Sequence, residues 1–533
     1  MKSECLAFTA IPHTTSLFRD YLYNFERVQR FYAVDPRNRD ALRAHGSGIR
    51  YDDERRRLVA DVLERQNREC GASARTLENV ARLRAGALAA VSGQQVGLFG
   101  GPLYSILKAV SAIRLARDLS APGMECVPVF WLATEDHDLA EVNHVTLLNP
   151  AGLPERLETP SHGAKDAPVS EVRLGEEIVA VAERACGLLG EGEIAEFVRA
   201  TYRPGETLGT AFGKLFAKLF ADFGLVLLDP SDKALHEIAK PVYRAAIERA
   251  DKLDDALITR GKELRTAGYH EQVKVTPETA LLFEKRNGAR TVIHRNNGGF
   301  SVGREQVTRE ELLARIEAEP HCFSANVLLR PVLQDFLLPT VGYFGGPAEV
   351  AYSAQVAVVC EEVLGRTTPV LPRFSATLLD ARAQRLMKKY GVELPDFLGG
   401  PEAARELLAS RNLPAKLQAR FEQGTATVSE VVGELRKSLE KLDPTLCDAA
   451  ERAQRKMLYQ LDRLRKRAAN AELRRNDEIA RHAEWLSANL YPSKGLQERE
   501  IAGVSFLARY GRELLDGLVE CAGGCPDHQI VEL

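Results

Sequence analysis

The stretch from Val91 to His144 decides the fold. It reads VSGQQVGLFGGPLYSILKAVSAIRLARDLS over residues 91–120 and VPVFWLATEDHDLAEVNH over residues 127–144. A first apolar run leads into a glycine-rich turn, after which apolar residues recur about once per helical turn. A second apolar run, 127–133, ends in a polar cluster. The pattern predicts a right-handed strand–helix–strand unit of a parallel sheet.

Both predicted strands end in residues that suit ligand binding. In parallel sheets, ligands collect at the carboxyl ends of the strands. The glycine-rich turn opens a helix, whose free N–H groups and dipole favour an anion such as a phosphate. Lys108 either adds a charge there or is an ordinary exposed lysine. The spacing matches neither the dinucleotide fingerprint nor a Walker loop. The binding candidates in this segment are Gln94, Gln95, Gly97, Gly100, Gly101, Tyr104 and Lys108.

The polar cluster follows the second strand directly. In an arbitrary surface loop, such residues would be solvated. Here the run before them reads as a fully buried strand, so the charges must be paired, bind a ligand or open into a cleft. A histidine flanked by carboxylates suits acid–base work. The catalytic candidates are Glu135, Asp136, His137 and Asp138. His144, seven residues after His137, is predicted to share a helical face with it and is a binding candidate.

A second stretch, residues 328–374, contains the sequence Gly-Gly-Pro at 345–347, as the first stretch does at 100–102. In both stretches the sequence precedes a helical pattern. Two such turns either cradle one ligand from two sides or are unrelated tight turns. Arginines in this stretch suit carboxylate or phosphate recognition, because a guanidinium donates two parallel hydrogen bonds. The binding candidates here are Arg330, Gln334, Gly345, Gly346, Glu349, Tyr352 and Arg373.

The bulk composition narrows the class of protein. A chain of 533 residues predicts more than one domain, and a net charge of -3 argues against nucleic acid as a partner. No apolar run reaches the roughly 20 residues that span a bilayer, so a cytoplasmic protein without a membrane partner is predicted. Nine scattered cysteines indicate reduced thiols. Cys521, Cys525 and His528 are better read as free side chains than as a metal site, and no metal is predicted.

The strand and helix patterns in the rest of the sequence predict further segments. Residues 269–307 predict a small β module with strand alternation from Gln272 and a turn at 296–299. Residues 376–490 are helical and charged, with an apolar seam that predicts helix pairing, and Pro444 should delimit a helix. The predicted segments are a core, 1–150, an insertion, 151–205, core again, 206–260, a β-containing insertion, 261–325, core, 326–378, a coiled coil, 379–490, and a return to the core, 491–533.

Five blocks together resemble a known family. They read VSGQQVGLFGGPLYSILKA, VPVFWLATEDHDLAEVNHV, LLRPVLQDFLLPTVGYFGGPAEVAYSAQ, PVLPRFSATLLD and LYPSKGLQERE, and span nearly the whole chain. Their text and order resemble the cysteine-adding enzymes, or cysteine ligases, of bacillithiol biosynthesis. The resemblance implies an α/β fold with a Rossmann-like parallel-sheet core, two inserted connecting-peptide subdomains and an α-helical coiled-coil domain through which a homodimer forms.

The resemblance also implies a reaction. Cysteine would be joined through its carboxyl group to the glucosamine amine of glucosaminyl-malate, the last step of bacillithiol synthesis. Because amide formation needs an activated carboxyl, ATP or ADP is the expected cofactor. We expect the glycine turn with Lys108 to hold a phosphate or other anion, His137 with its acidic neighbours to position the reacting groups, and Arg330, Gln334 and Arg373 to bind the malyl carboxylates. The alternatives are a nucleotide-dependent ligase or nucleotidyl transferase acting on another amine, and a non-enzymatic ligand-binding coiled-coil scaffold.

Overall fold

The structure, a computed structural model, describes residues 1–160, 166–296, 299–475 and 477–533. The chain forms two compact units. Unit 1 contains Met1, Ser3–Ala376 and Glu498–Gln529, and unit 2 contains Lys2, Thr377–Gln497 and Ile530–Leu533. Unit 1 is the mixed α/β unit, and unit 2 is mainly helical.

The strands of the described residues are, in chain order, β1 (Lys2–Leu6), β2 (Leu88–Gln94), β3 (Cys126–Leu132), β4 (His144–Leu148), β5 (Pro154–Glu158), β6 (Val226–Leu228), β7 (Thr279–Arg286), β8 (Ala289–Asn296), β9 (Gly299–Val302), β10 (Glu305–Val307), β11 (Phe323–Ala325), β12 (Thr340–Gly345), β13 (Val370–Pro372), β14 (Ser375–Leu379) and β15 (His528–Glu532).

The α-helices are α1 (Ser16–Tyr23), α2 (Arg39–Gly48), α3 (Asp53–Glu69), α4 (Ala74–Ala85), α5 (Leu103–Leu119), α6 (Leu139–Val142), α7 (Glu177–Leu189), α8 (Glu193–Thr201), α9 (Leu208–Leu219), α10 (Lys233–Glu248), α11 (Ala250–Thr266), α12 (Arg309–Ala318), α13 (Arg330–Leu337), α14 (Pro347–Leu364), α15 (Ala381–Tyr390), α16 (Pro401–Arg411), α17 (Ala415–Leu442), α18 (Leu446–Arg475), α19 (Asp477–Leu490), α20 (Gln497–Glu500), α21 (Gly503–Tyr510) and α22 (Leu514–Cys521).

The centre of unit 1 is a five-stranded parallel sheet in the order β13-β12-β2-β3-β6. The predicted strand–helix–strand unit is confirmed as β2, α5 and β3, with Ser92 paired to Phe130 across the two strands. Every residue of β3 is buried, as a strand covered on both faces requires. The order places β2 between β3 and β12, so the two Gly-Gly-Pro turns follow neighbouring strands and meet at one sheet edge.

The turn after β2 depends on its glycines. Gly100 and Gly101 have φ angles of 90° and 67°, in the left-handed region that glycine enters without a Cβ clash. The backbone reverses here so that Pro102 stands at the N-cap of α5. Nearly all of α5 is buried, which fits a helix packed between the sheet and other helices.

Two insertions interrupt the core. One carries α7 and α8, and the other carries an antiparallel sheet in the order β10-β9-β8-β7-β11. The predicted β module is confirmed, but its first strand begins at Thr279 rather than at Gln272, because residues 267–278 form turns, bends and coil before β7. Part of the predicted turn at 296–299 falls on residues 297–298, which lie outside the described residues. His144 opens β4, so the helical face predicted to join it to His137 was also wrong: α6 ends at Val142.

Unit 2 contains a long helical hairpin. Helix α17 ends at Leu442 and α18 begins at Leu446, so Pro444 delimits the helices as predicted. Arg436 forms a 3.0 Å ion pair with Glu451, and Leu461 lies 3.8 Å from the Cβ position of Gly424, so the helices run antiparallel. Part of the predicted seam faces outward: the exposed fractions are 53% for Leu435, 49% for Met457 and 56% for Leu464.

The cysteines correct one prediction. Cys5 and Cys525 form a disulfide, whereas the sequence indicated only reduced thiols. Their separation of 520 residues hides the pairing, because only the fold of unit 1 brings the two segments together. His528 is buried and its Nδ1 lies 2.8 Å from the Ser375 hydroxyl. Within the described ranges, no helix is both long and apolar enough to cross a bilayer.

Candidate active site

A cavity of about 1010 Å³ opens at the carboxyl edge of the parallel sheet in unit 1. Gly93 and Gln94 of β2, Trp131 of β3 and Tyr343 of β12 bring three neighbouring strands to it. Pro102 and Pro347 line it from the two Gly-Gly-Pro turns. The two turns therefore border one cavity, which is the arrangement expected of a single ligand held from two sides.

One region of the cavity is rich in guanidinium groups. Arg330 donates to the Tyr352 hydroxyl at 2.9 Å and to Gln334 Oε1 at 3.3 Å. Arg373 and Arg499 lie over the Tyr104 ring, with their Cζ atoms 5.5 and 6.0 Å from its centroid. All three arginines line the cavity, and aromatic faces stabilise such cations. This region suits an anionic ligand group.

Arg373 already has one carboxylate partner. Its Nη2 lies 2.5 Å from Glu498 Oε1, and both side chains are almost completely buried. Burial raises the pKa of Glu498, but the neighbouring Arg373 outweighs this effect and holds the pKa below its usual range. A buried ion pair of this kind fixes the guanidinium in place, so any ligand contact must use its remaining donors.

Lys108 is not an exposed lysine. Its side chain is 4% exposed, and its Nζ donates to Gly93 O and Gln94 Oε1 at 2.8 Å and forms a 2.6 Å ion pair with Glu349. Burial alone would raise the pKa of Glu349, and Lys108 lowers it below the usual value. The carboxylate also accepts from the Tyr343 hydroxyl at 2.5 Å and from Gly346 N–H at 2.7 Å. The pair therefore joins β2, β12, α5 and α14.

Several N–H groups at the start of α5 already have acceptors within the chain. Gly100 N–H donates to the Tyr202 hydroxyl at 3.2 Å, Gly101 N–H to Leu98 O at 3.0 Å, and Leu103 N–H to Ile501 O at 2.8 Å. At α14, the Glu349 carboxylate takes the position at the helix N-terminus that an anion would occupy. These N–H groups and Lys108 are therefore engaged within the chain.

Another part of the cavity lining is built around the polar cluster after β3. Gln95 Nε2 donates to Asp136 Oδ2 at 3.0 Å and to Glu141 Oε2 at 2.6 Å. Arg290 of β8 reaches His137 Nδ1 at 3.3 Å. Since a guanidinium can only donate, Nδ1 of His137 is the acceptor of this hydrogen bond, and Asp136 Oδ1 lies 3.6 Å from the same nitrogen. The inserted antiparallel sheet thus completes the site.

Glu135 is the most perturbed acid of this cluster. Its side chain is 15% exposed, and its Oε1 lies 3.5 Å from His236 Nε2. Burial raises the pKa of Glu135 to about 8; Arg290 opposes the shift, and Asp229 adds to it. A cavity-lining carboxyl group that exchanges its proton near neutral pH is suited to acid–base chemistry.

The structure brings most of the predicted residues together. Those lining the cavity are Gln94, Gln95, Tyr104, Lys108, Glu135, Asp136, His137, His144, Arg330, Gly346, Glu349, Tyr352 and Arg373. The predicted residues outside its lining are Gly97, Gly100, Gly101, Asp138, Gln334 and Gly345. Asp138 caps α6 instead, accepting from Glu141 N–H.

Sequence reasoning missed several lining residues: Glu141, Phe283, Arg290, Tyr343 and Arg499. Arg499 lies in the LYPSKGLQERE block and could have been found there, whereas Arg290 belongs to an insertion whose packing the pattern does not specify. Away from the cavity lining, the Glu319, His321 and Cys322 side chains have potential metal-ligating atoms within 4.8 Å of one another.

Comparison with known proteins assigns the family. Residues 1–374 match "Bacillithiol biosynthesis BshC, N-terminal Rossmann-like domain", and residues 376–533 match "Bacillithiol biosynthesis BshC, C-terminal coiled-coil domain". The chain belongs to the BshC family. This confirms the family predicted from the five sequence blocks, and with it the Rossmann-like and coiled-coil fold class.

Relatives that match along the chain support the same family assignment. A protein named "Putative cysteine ligase BshC" from Koribacter versatilis is 50% identical, with all of each chain covered. A protein of the same name from Solibacter usitatus is 39% identical, again over all of each chain. Another, from Salinibacter ruber, is 32% identical over 94% of this chain and 93% of its own.

Proposed function

We propose that this chain carries out the last step of bacillithiol biosynthesis as a carbon–nitrogen ligase. It would join the carboxyl group of cysteine to the glucosamine amine of glucosaminyl-malate. The family and the names of its relatives support the enzyme class. The observation that supports the choice of substrate is that one cavity is lined both by the guanidinium groups of Arg330, Arg373 and Arg499 and by the carboxyl groups of Glu135 and Asp136.

These two kinds of group match the two ends of the proposed acceptor. Glucosaminyl-malate has two carboxylates at one end and an ammonium or amine at the other. Arg330, Arg373 and Arg499 would bind the malyl carboxylates through charge-assisted hydrogen bonds. The amine would face Glu135 and Asp136, where a carboxylate stabilises the ammonium before reaction and can accept a proton during it. Holding both ends fixes the amine against the cysteine carbonyl carbon.

The activation of cysteine is a separate proposal. Amide formation from a free carboxylate needs a leaving group on the acyl carbon, and ATP is the simplest source. The helix starts that the sequence indicated for its phosphates are engaged within the chain, so a nucleotide would need other contacts. We also propose a cytoplasmic homodimer, which the exposed apolar residues along α17 and α18 support.

The test combines purified protein, cysteine and glucosaminyl-malate, with and without ATP, and detects bacillithiol by mass spectrometry after thiol labelling. Arg330→Met should raise KM for glucosaminyl-malate about 10- to 100-fold, since a charge-assisted hydrogen bond contributes about 1.5–3 kcal/mol. Methyl glucosaminide, which keeps the amine and lacks the carboxylates, should react equally poorly with both proteins.

The matched control is Arg304→Met, because Arg304 is exposed and does not line the cavity. Its KM should equal that of the wild type. Product formation from other amino acids or amines at equal efficiency would instead favour a ligase of different specificity. Saturable ligand binding without any turnover would favour the scaffold alternative.

A further inference from the structure

A chain of three polar side chains leads from the core of unit 1 to the cavity. The Tyr243 hydroxyl lies 2.9 Å from His236 Nδ1, and His236 Nε2 lies 3.5 Å from Glu135 Oε1. Tyr243 and His236 both belong to α10 and are 1% and 4% exposed. Of the three, Glu135 lines the cavity.

Tyr243 and His236 are both neutral at neutral pH. Burial raises the pKa of Tyr243 well above its usual value, so the phenol keeps its proton. Burial also lowers the pKa of His236 to about 4, so the imidazole is neutral at neutral pH. A neutral imidazole has one donor and one acceptor nitrogen. In the arrangement proposed below, the phenol donates to Nδ1, and the ring proton lies on Nε2 and faces Glu135.

We propose that Glu135 is the general base of amide formation and that His236, held by Tyr243, is its positioning residue. The inference rests on the proposed function. The amine nitrogen attacks the carbonyl carbon of an activated acyl derivative of cysteine, such as an acyl phosphate or ester, and the C–N bond forms. One N–H proton passes to the Glu135 carboxylate, and the leaving group departs with the electron pair of its bond to carbon.

The 3.5 Å separation is longer than a good hydrogen bond and is closed by a small side-chain movement. Catalytic hydrogen bonds commonly tighten once the substrate is bound. When Glu135 is ionised, the Nε2–H stabilises the carboxylate, and it leaves the second oxygen free for the amine. His137 is a poorer base here, because Arg290 already donates to its Nδ1.

Other charges set the working pH. Arg290 and Asp229 act on Glu135 directly. The titratable groups that act on His236 are His321, Lys285, Asp232 and Glu237. Burial holds the Glu135 pKa near that of an amine, so the proton is transferred between groups of similar affinity.

The test uses two isosteres of His236. His236→Gln keeps an N–H where Nε2 stood, whereas His236→Asn keeps only the Nδ1 side. In the asparagine variant, the acid limb of the kcat/KM profile should move to higher pH, and activity below the limb should fall about tenfold per pH unit moved. The glutamine variant should retain the wild-type limb. Glu135→Gln should lose about 10²- to 10⁴-fold in kcat, and Glu135→Asp should lose less.

The control is His294→Asn, since His294 is exposed and lies outside the cavity lining. An acid limb that stays in place in His236→Asn, or a Glu135→Gln enzyme with near wild-type kcat, would overturn the proposal. A uniform loss of activity without a change in the pH profile would mean that His236 is only structural and would equally overturn it.

A second measurement needs no turnover. Because the folded pKa of Glu135 lies above its value of 4.5 in the unfolded chain, the wild type should lose stability relative to Glu135→Gln as pH rises from about 4.5 to about 8. In the His236→Asn background, the upper end of this window should move to higher pH. If stability changes with pH in this way but no amide forms, the proposed function is wrong and the interaction of Glu135 with His236 stands. If the change in stability is absent, the proposal for Glu135 and His236 is wrong.

Discussion

Replacing Lys108 by methionine should destabilise unit 1 strongly. The substitution keeps the length of the buried side chain and removes its ammonium group. Glu349, whose side chain is 20% exposed, then loses the cation at 2.6 Å and keeps the Tyr343 hydroxyl and the Gly346 N–H as donors, with Arg330 and Arg373 as more distant cations. A carboxylate without its counter-charge in this position must either stay ionised at a cost or take up a proton.

The magnitude follows from the geometry. Two unit charges 2.6 Å apart attract by about 6 kcal/mol at an effective dielectric constant of about 20, and the desolvation of both ions offsets much of this gain. Removing one partner of a buried pair typically costs about 3–5 kcal/mol, because the other charge is left behind. We expect that loss for Lys108→Met and a much smaller loss for the double variant Lys108→Met/Glu349→Gln.

The chain offers a clean reporter. It has two tryptophans, Trp131 in unit 1 and Trp485 in unit 2. In a Trp485→Phe background, urea unfolding followed by fluorescence therefore reports unit 1 alone. The matched control is Lys252→Met: Lys252 forms a 2.7 Å ion pair with Glu362, but its side chain is 71% exposed.

Exposed pairs contribute at most about 1 kcal/mol, so the control should change the free energy of unfolding little. If Lys108→Met and Glu349→Gln were additive within about 0.5 kcal/mol, the two charges would not interact and the reasoning would be refuted. Equal losses for Lys108→Met and Lys252→Met would refute it as well.

Three further predictions concern the termini and unit 2. Cys5→Ser should lower the stability of unit 1 by about 2–4 kcal/mol, and a reductant should destabilise the wild type but not the variant. Replacing both Leu435 and Leu464 by glutamate should convert a dimer into a monomer by light scattering, while Trp131 reports unchanged unfolding of unit 1. Burial lowers the pKa of His528 to about 4, so the unfolded chain binds a proton first as pH falls. Stability should therefore drop between pH 6.5 and about 4, by about 3 kcal/mol at most, and His528→Gln should flatten this drop in an unfolding series over pH.

The parallel core was predictable because its signals are local. An apolar run, a glycine turn and a helical period identify β2, α5 and β3 without tertiary information, and the paired Gly-Gly-Pro text identifies the edge where the cavity lies. The burial and pairing of individual side chains could not be predicted from the local sequence. Lys108 has the sequence context of a helix-surface lysine, and only the position of Glu349 on a helix more than 200 residues later makes it a buried structural ion.

Contacts between segments that are distant in the chain could not be predicted from the sequence pattern either. Arg290 acts on His137 from a strand of the antiparallel sheet, and His236 reaches Glu135 from α10. The Cys5–Cys525 bond could not be read from cysteine spacing, since nothing near either residue records the other. In each case the partner is chosen by how separate segments pack, which a single sequence does not specify.

The Cys5–Cys525 bond also has a topological consequence. Unit 1 is made of two stretches of chain, and the polypeptide leaves it after Ala376 and returns at Glu498. The disulfide connects the two stretches a second time, so residues Thr377–Gln497 of unit 2 lie within a covalently closed ring. A protease that cuts the chain once between Thr377 and Gln497 opens the ring without releasing a fragment. On a denaturing gel, the two pieces should separate only after reduction.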